Sequence, residues 1–226
     1  MIRVLYCACL VLVSAMAAAE PQPAFTHTLY LIRHGAYVAD RNADPQLGPG
    51  ITPLGVAQAR LIAARLSASG VAFDSMTSST LQRARDTAAV MHETLSNVPV
   101  AQSALLSECT PPTFEAAEGA AATEQAACVK QLDQTFAEFF TVAKNAKRND
   151  ILVAHGSVIR YLVVKALKVD PRAWLGMTVA HASLTVIQVL PDGSMKVLAV
   201  GDSGHIPGPL LSWGDANDRQ LAVPTR

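Results

Sequence analysis

Thr28-Leu29-Tyr30-Leu31-Ile32-Arg33-His34-Gly35 is an apolar run that ends in a cation, an imidazole and a glycine. The residues from Thr28 to Ile32 read as a buried strand, being short and rich in aliphatics. Such a strand has no routine use for Arg-His-Gly at its exit. Arg33 offers a fixed guanidinium fork suited to phosphate oxygens. His34 offers a ring nitrogen that can attack or shuttle a proton. Gly35 lets the backbone turn and a ligand come close. The stretch therefore reads as a phosphate site centred on His34. The plain alternative is a strand end with a solvated Arg-His pair, because short motifs recur by chance.

A second stretch, Ile151-Leu152-Val153-Ala154-His155-Gly156, repeats the design, and an apolar helical pattern follows from Val158 to Leu167. Two strands that each end in His-Gly set two imidazoles side by side, where an open α/β sheet binds its ligands. A third stretch, Ser78-Ser79-Thr80-Leu81-Gln82-Arg83-Ala84-Arg85-Asp86-Thr87-Ala88, puts Arg83 in the first turn of a helix spanning 80–95. Helix starts favour anions through free N–H groups and the helix dipole. Ala84, Thr87, Ala88, Met91 and Leu95 make its inward face.

Taken in order, these motifs and a Glu after the apolar Leu105-Leu106 resemble the histidine phosphatase superfamily, the phosphoglycerate-mutase-like branch 1 group. The resemblance runs from about Thr28 to about Pro207. Tyr37, His155 to Tyr161, Pro171 to Leu175 and Gly201 to Pro207 are similar to its mitochondrial serine/threonine protein phosphatase branch. It implies an α/β fold: a three-layer α/β/α sandwich with a mainly parallel sheet. It implies that His34 is the nucleophile, with Arg33, Arg83, His155 and the N–H of Gly156 around the phosphoryl oxygens. His155 and Glu108 complete the catalytic set, Glu108 as general acid, with Glu115 or Glu118 as alternatives nearby. Only a neutral ring attacks, so the other nitrogen of His34 should be held by a backbone carbonyl. Neither a cofactor nor a metal is expected. No His-Glu-x-x-His spacing occurs, and Cys109 and Cys128 lack zinc-ligand spacing.

The 226 residues are half hydrophobic, with 18 basic and 18 acidic side chains and no net charge. That argues against nucleic acid or an anionic membrane as the main partner. Residues 1–19 read as a signal peptide: Arg3, an apolar run from Val4 to Met16, and Ala17-Ala18-Ala19 before a cut at Glu20. The alternatives are a retained anchor and a lipoprotein at Cys9. Residues 20–226 then form a single domain, exported to a periplasm or secreted, with no stable membrane span after cleavage. Cys7 and Cys9 leave with the signal. Cys109 and Cys128 are expected to pair in an oxidising compartment, the alternative being two buried thiols.

Between these motifs, Thr52-Pro53 starts a helix that Ser69-Gly70 ends, and Asp74 to Ser79 is a short strand and loop. Residues 110–127 read as a low-complexity insertion over the site mouth, and Val129 to Lys147 as an amphipathic segment. Ser183–Leu190 and Met195–Val200 flank the turn Pro191-Asp192-Gly193 as a hairpin at the sheet edge. The tail from Gly208 is expected to be ordered only in part. His27, His92, His181 and His205 read as structural or surface residues, His205 at the pocket rim.

The leading expectation is an exported phosphatase that hydrolyses phosphate monoesters through a phosphohistidine. Its substrate would be a phosphoprotein or a phosphorylated small molecule, such as a sugar or envelope phosphate. The alternatives are a mutase-type phosphotransferase and a non-catalytic phosphate-binding scaffold.

Overall fold

The computed structural model describes residues 24–116 and 119–214. The signal segment 1–19 with Cys7 and Cys9, the alternative acid Glu118 and residues 215–226 lie outside the described residues. The described elements are β1 (His27–Arg33), α1 (Pro53–Ala68), β2 (Ser75–Ser78), α2 (Gln82–Thr94), β3 (Val100–Gln102), α3 (Gly119–Phe139), β4 (Arg148–Ala154), α4 (Gly156–Ala166), β5 (Leu184–Val189) and β6 (Met195–Asp202).

The strands form one sheet in the order β3-β2-β4-β1-β5-β6. The first four are parallel; β5 and β6 run antiparallel at one edge. β1 and β4 sit in the middle because both of their faces are apolar. Leu29 and Leu31 of β1, with Leu152 and Ala154 of β4, point to the face covered by α3 and α4. Ile32 of β1, with Ile151 and Val153 of β4, points to the face covered by α1 and α2. The alternation of a strand thus feeds two cores, and the layers are helix, sheet, helix.

β1 pairs with β4 in a register that sets Arg33 opposite Ala154. The next residue of each strand is a histidine, so His34 and His155 leave the sheet together. The His34 N–H continues the ladder to the Ala154 carbonyl at 3.0 Å.

α1 begins as expected, with Thr52 accepting from the Gly55 N–H and Pro53 in the first turn. Its first turn packs directly on the chain leaving β1. A Cβ on Gly35 would lie 2.6 Å from the Gly55 carbonyl oxygen, and one on Gly55 2.3 Å from that of Ala36. Both obstacles are backbone, so neither can swing aside. Gly35→Ala is expected to lower stability by about 1–3 kcal/mol in urea unfolding, and an unchanged midpoint would refute this close packing.

Elsewhere the structure departs from expectation. Residues 119–127, read as part of a low-complexity insertion, are helical: α3 starts at Gly119, because its Ala-rich sequence is the strongest helix former available. It ends at Phe139, short of Lys147. Phe140 still packs into the core, while Ala143 bridges to Phe25. β3 carried no sequence signal, since Val100, Ala101 and Gln102 are all exposed and only their pairing with β2 makes them a strand. The hairpin forms as expected, Gly193 turning at φ +79°. Cys109 and Cys128 are joined by a disulfide, with Cα atoms 5.5 Å apart. The tail through residue 214 packs back on the fold: Gln58 Nε2 donates to the Leu210 carbonyl (2.7 Å) and to Ser212 Oγ (3.0 Å).

Candidate active site

Beyond the carboxyl ends of β1 and β4, the rings of His34 and His155 have centroids 5.0 Å apart. Arg83 reaches them from the first turn of α2, its Nε donating to His34 Nε2 at 3.3 Å. A guanidinium can only donate, so His34 Nε2 carries a lone pair. The proton is on Nδ1, which donates to the Gly35 carbonyl at 2.9 Å. This is the backbone restraint expected for an attacking ring.

Arg83 also donates to the Glu108 carboxylate, and its guanidinium lies 5.0 Å from the centre of the Tyr37 ring. Glu108 follows the short helical turn Ala104–Leu106, and its side chain is 41% exposed. One oxygen sits 4.0 Å from His155 Nδ1. The other His155 nitrogen pairs with Ser79 Oγ at 2.9 Å. Arg33 donates to the carbonyls of Val179 (2.8 Å) and Trp213. Gly156 opens α4 beside it; a Cβ there would stand 3.4 Å from Arg33 Nε.

The structure thus gathers all six sequence-chosen residues, Arg33, His34, Arg83, Glu108, His155 and Gly156. Among the described residues, no group of three or more His, Cys, Asp and Glu is placed to hold a metal ion.

One residue escaped the sequence reading. His181, read as structural or surface, is buried, and its ring centroid lies 5.4 Å from that of His34. Ser212 Oγ meets its Nδ1 at 2.9 Å. His205 takes a structural role, as expected: it bonds the Ala182 carbonyl at 3.0 Å and Arg65 at 3.1 Å, bracing the turn after His181. Glu115, the other alternative acid, lines a separate hollow, away from the two histidines.

Burial sets the charge states here. It pushes the His34 pKa well below the ordinary histidine value, helped by repulsion from a proton on His155, from Arg33 and Arg83, and from a proton on His181. Burial, then Arg83 and Arg33, does the same to His155. Burial and Arg33 bring His181 to about 3. All three rings are therefore neutral near neutral pH. The unfolded chain takes up these protons below its ordinary histidine pKa of about 6.5, whereas the folded chain does not. Stability is therefore intact above that value and falls as the pH drops toward the folded values. The urea midpoint is expected to be lower at about pH 5 than at about pH 7.5, above the range where carboxylates titrate. A flat profile would contradict it.

A family model described as the histidine phosphatase superfamily (branch 1) matches residues 29–138 and 110–202. Two curated relatives are mitochondrial serine/threonine-protein phosphatases. Pgam5 of Caenorhabditis elegans is 32% identical over 205 residues, covering 86% of this chain and 69% of the relative. PGAM5 of Xenopus tropicalis is 32% identical over 205 residues, covering 84% and 70%. Among solved structures, Bacillus stearothermophilus YhfR is 21% identical with a TM-score of 0.62, over 80% of this chain and 100% of that one. A phosphoglycerate mutase from Plasmodium falciparum is 19% identical with a TM-score of 0.58, over 81% and 96%. At these identities the structural likeness speaks for the fold.

The relatives correct the expected location. Their mitochondrial designation points away from a periplasmic or secreted protein. One arginine followed by an apolar run does not specify which membrane's machinery reads it. Among the described residues, no helix is long and apolar enough to cross a membrane.

Proposed function

Because the chain belongs to the histidine phosphatase superfamily, branch 1, we propose that it hydrolyses phosphate monoesters through a phosphohistidine on His34. The observation that carries this reading is the fixed tautomer of His34, its Nδ1–H tied to the Gly35 carbonyl and its Nε2 lone pair among the site's cations. In the first step Nε2 attacks phosphorus, the ester P–O bond breaks, and Glu108 gives its proton to the leaving oxygen. Arg83, Arg33, His155 and the Gly156 N–H hold the equatorial oxygens as charge spreads over them. Phosphate takes over Arg83 from Glu108, which frees the carboxyl group to face the leaving oxygen. In the second step water attacks phosphorus and gives a proton to Glu108. The P–N bond breaks, and His34 is again neutral.

Two relatives named as serine/threonine-protein phosphatases support a phosphorylated serine or threonine side chain as the substrate, and their designation supports a mitochondrial setting. Arg33 and Arg83 supply the positive charge that phosphoryl transfer needs, which supports turnover without added metal. The test is phosphate release from an aryl phosphate and from phosphoserine peptides in metal-free buffer. Free phosphate in equal amount to the alcohol is expected. Transfer to an added hydroxyl acceptor without free phosphate would favour a mutase. Phosphate binding with no turnover would leave a scaffold.

A further inference from the structure

Two segments face each other on the open side of Glu108: the loop from Cys109 to residue 116, and the turn Pro171–Gly176 with the chain to Val179. Trp174 holds them together. Its ring is buried, and its Nε1–H donates to the Pro112 carbonyl at 2.9 Å. The Arg160 guanidinium lies 4.5 Å from the centre of its ring. On the catalytic side of Trp174 is a hollow of about 350 Å³ bordered by Arg33, Glu108, Thr110, Arg160 and Trp213. On the other side the same two segments border a hollow of about 560 Å³, with Phe114, Ala173 and Leu175 on its walls and Thr113, Glu115 and Arg172 among them.

This second hollow is oddly apolar for an open surface. Phe114 is 67% and Leu175 55% exposed. Large apolar side chains left in water side by side mark places where something binds. The shelf is also fixed in place. Cys109–Cys128 anchors the loop to α3, and Arg172, chelated by Asp170, lies 5.0 Å from the centre of the Phe114 ring.

We infer that the shelf of Phe114 and Leu175 is a specificity subsite: it receives an apolar side chain of a phosphopeptide whose phosphate sits at His34. The inference rests on the phosphatase reading above and adds to it the residues that choose among substrates. Proximity to the catalytic hollow favours this occupant, since both hollows lie between the same two segments. An extended peptide can span both hollows and bury a leucine or phenylalanine on the second.

The test compares the whole protein with Phe114→Ala and Leu175→Ala, both at exposed positions. The substrates are an aryl phosphate and a phosphoserine peptide series in which one leucine is walked along an otherwise polar chain. One leucine position is expected to raise kcat/KM about tenfold or more over the all-polar peptide. Each variant should lose that gain, mainly through KM, and keep wild-type turnover of the aryl phosphate. Equal rates for all peptides, or equal losses on both substrates, would overturn the subsite. So would a change in oligomeric state of the variants, which would make the shelf a contact between copies. Wild-type protein that turns over neither substrate would instead sink the phosphatase reading on which the subsite rests.

Discussion

His34→Ala is expected to lower turnover of every phosphomonoester by about 10⁴-fold or more, equivalent to about 5.4 kcal/mol of lost barrier reduction. The size follows from the role. Removing a nucleophile removes the two-step path itself, so the remaining rate reflects binding and charge alone. Arg33, Arg83 and His155 would still hold phosphate in such a variant, and its affinity for inorganic phosphate should survive. His34 is buried, so folding of the variant is checked first by its circular dichroism and urea midpoint. A direct check needs no mutation: acid-labile, base-stable phosphate should appear on the wild-type chain during turnover and map to residue 34. A folded His34→Ala protein with wild-type rates would remove His34 from the mechanism.

Glu108→Gln is expected to cost about 10²–10³-fold in kcat on a phosphoserine peptide, within the range for a lost general acid. On an aryl phosphate with an acidic phenol the loss should be far smaller, because that leaving group departs without a proton. The contrast between substrates is the informative quantity. Glu108 also pairs with Arg83, so a purely positional role predicts equal losses on both. Equal losses would assign Glu108 to holding Arg83, and the acid would have to be sought elsewhere.

The central strands were legible because their sequences are apolar on both faces and end in residues a core does not tolerate. Arg33-His34-Gly35 and His155-Gly156 marked where the two strands end and which side chains meet there. Arg83 was legible through its helix start. His181 was not, since Ala180-His181-Ala182 carries no motif and its proximity to His34 depends on Ala182 turning at φ 52°. A topological signal did exist. β5 runs antiparallel to β1, with Leu184 opposite Ile32, so residues just ahead of β5 must gather where β1 ends. The role of the chain near Trp213, which closes over Arg33, was hidden for a related reason. Its backbone carbonyl does the work, and a carbonyl leaves no trace in residue type. Strand β3 and the early start of α3 were missed because short, exposed or alanine-rich segments lack the contrast that periodicity needs.

The bond between Cys109 and Cys128 also governs how this chain can be cut. A protease that nicks the lip between Thr110 and Ala116 produces two polypeptides, yet neither can diffuse away while the sulfurs stay joined. Digested protein should run as one intact species on a gel without thiol, and as two fragments once thiol is added. Two fragments before any thiol is added would show that the pair is open in solution.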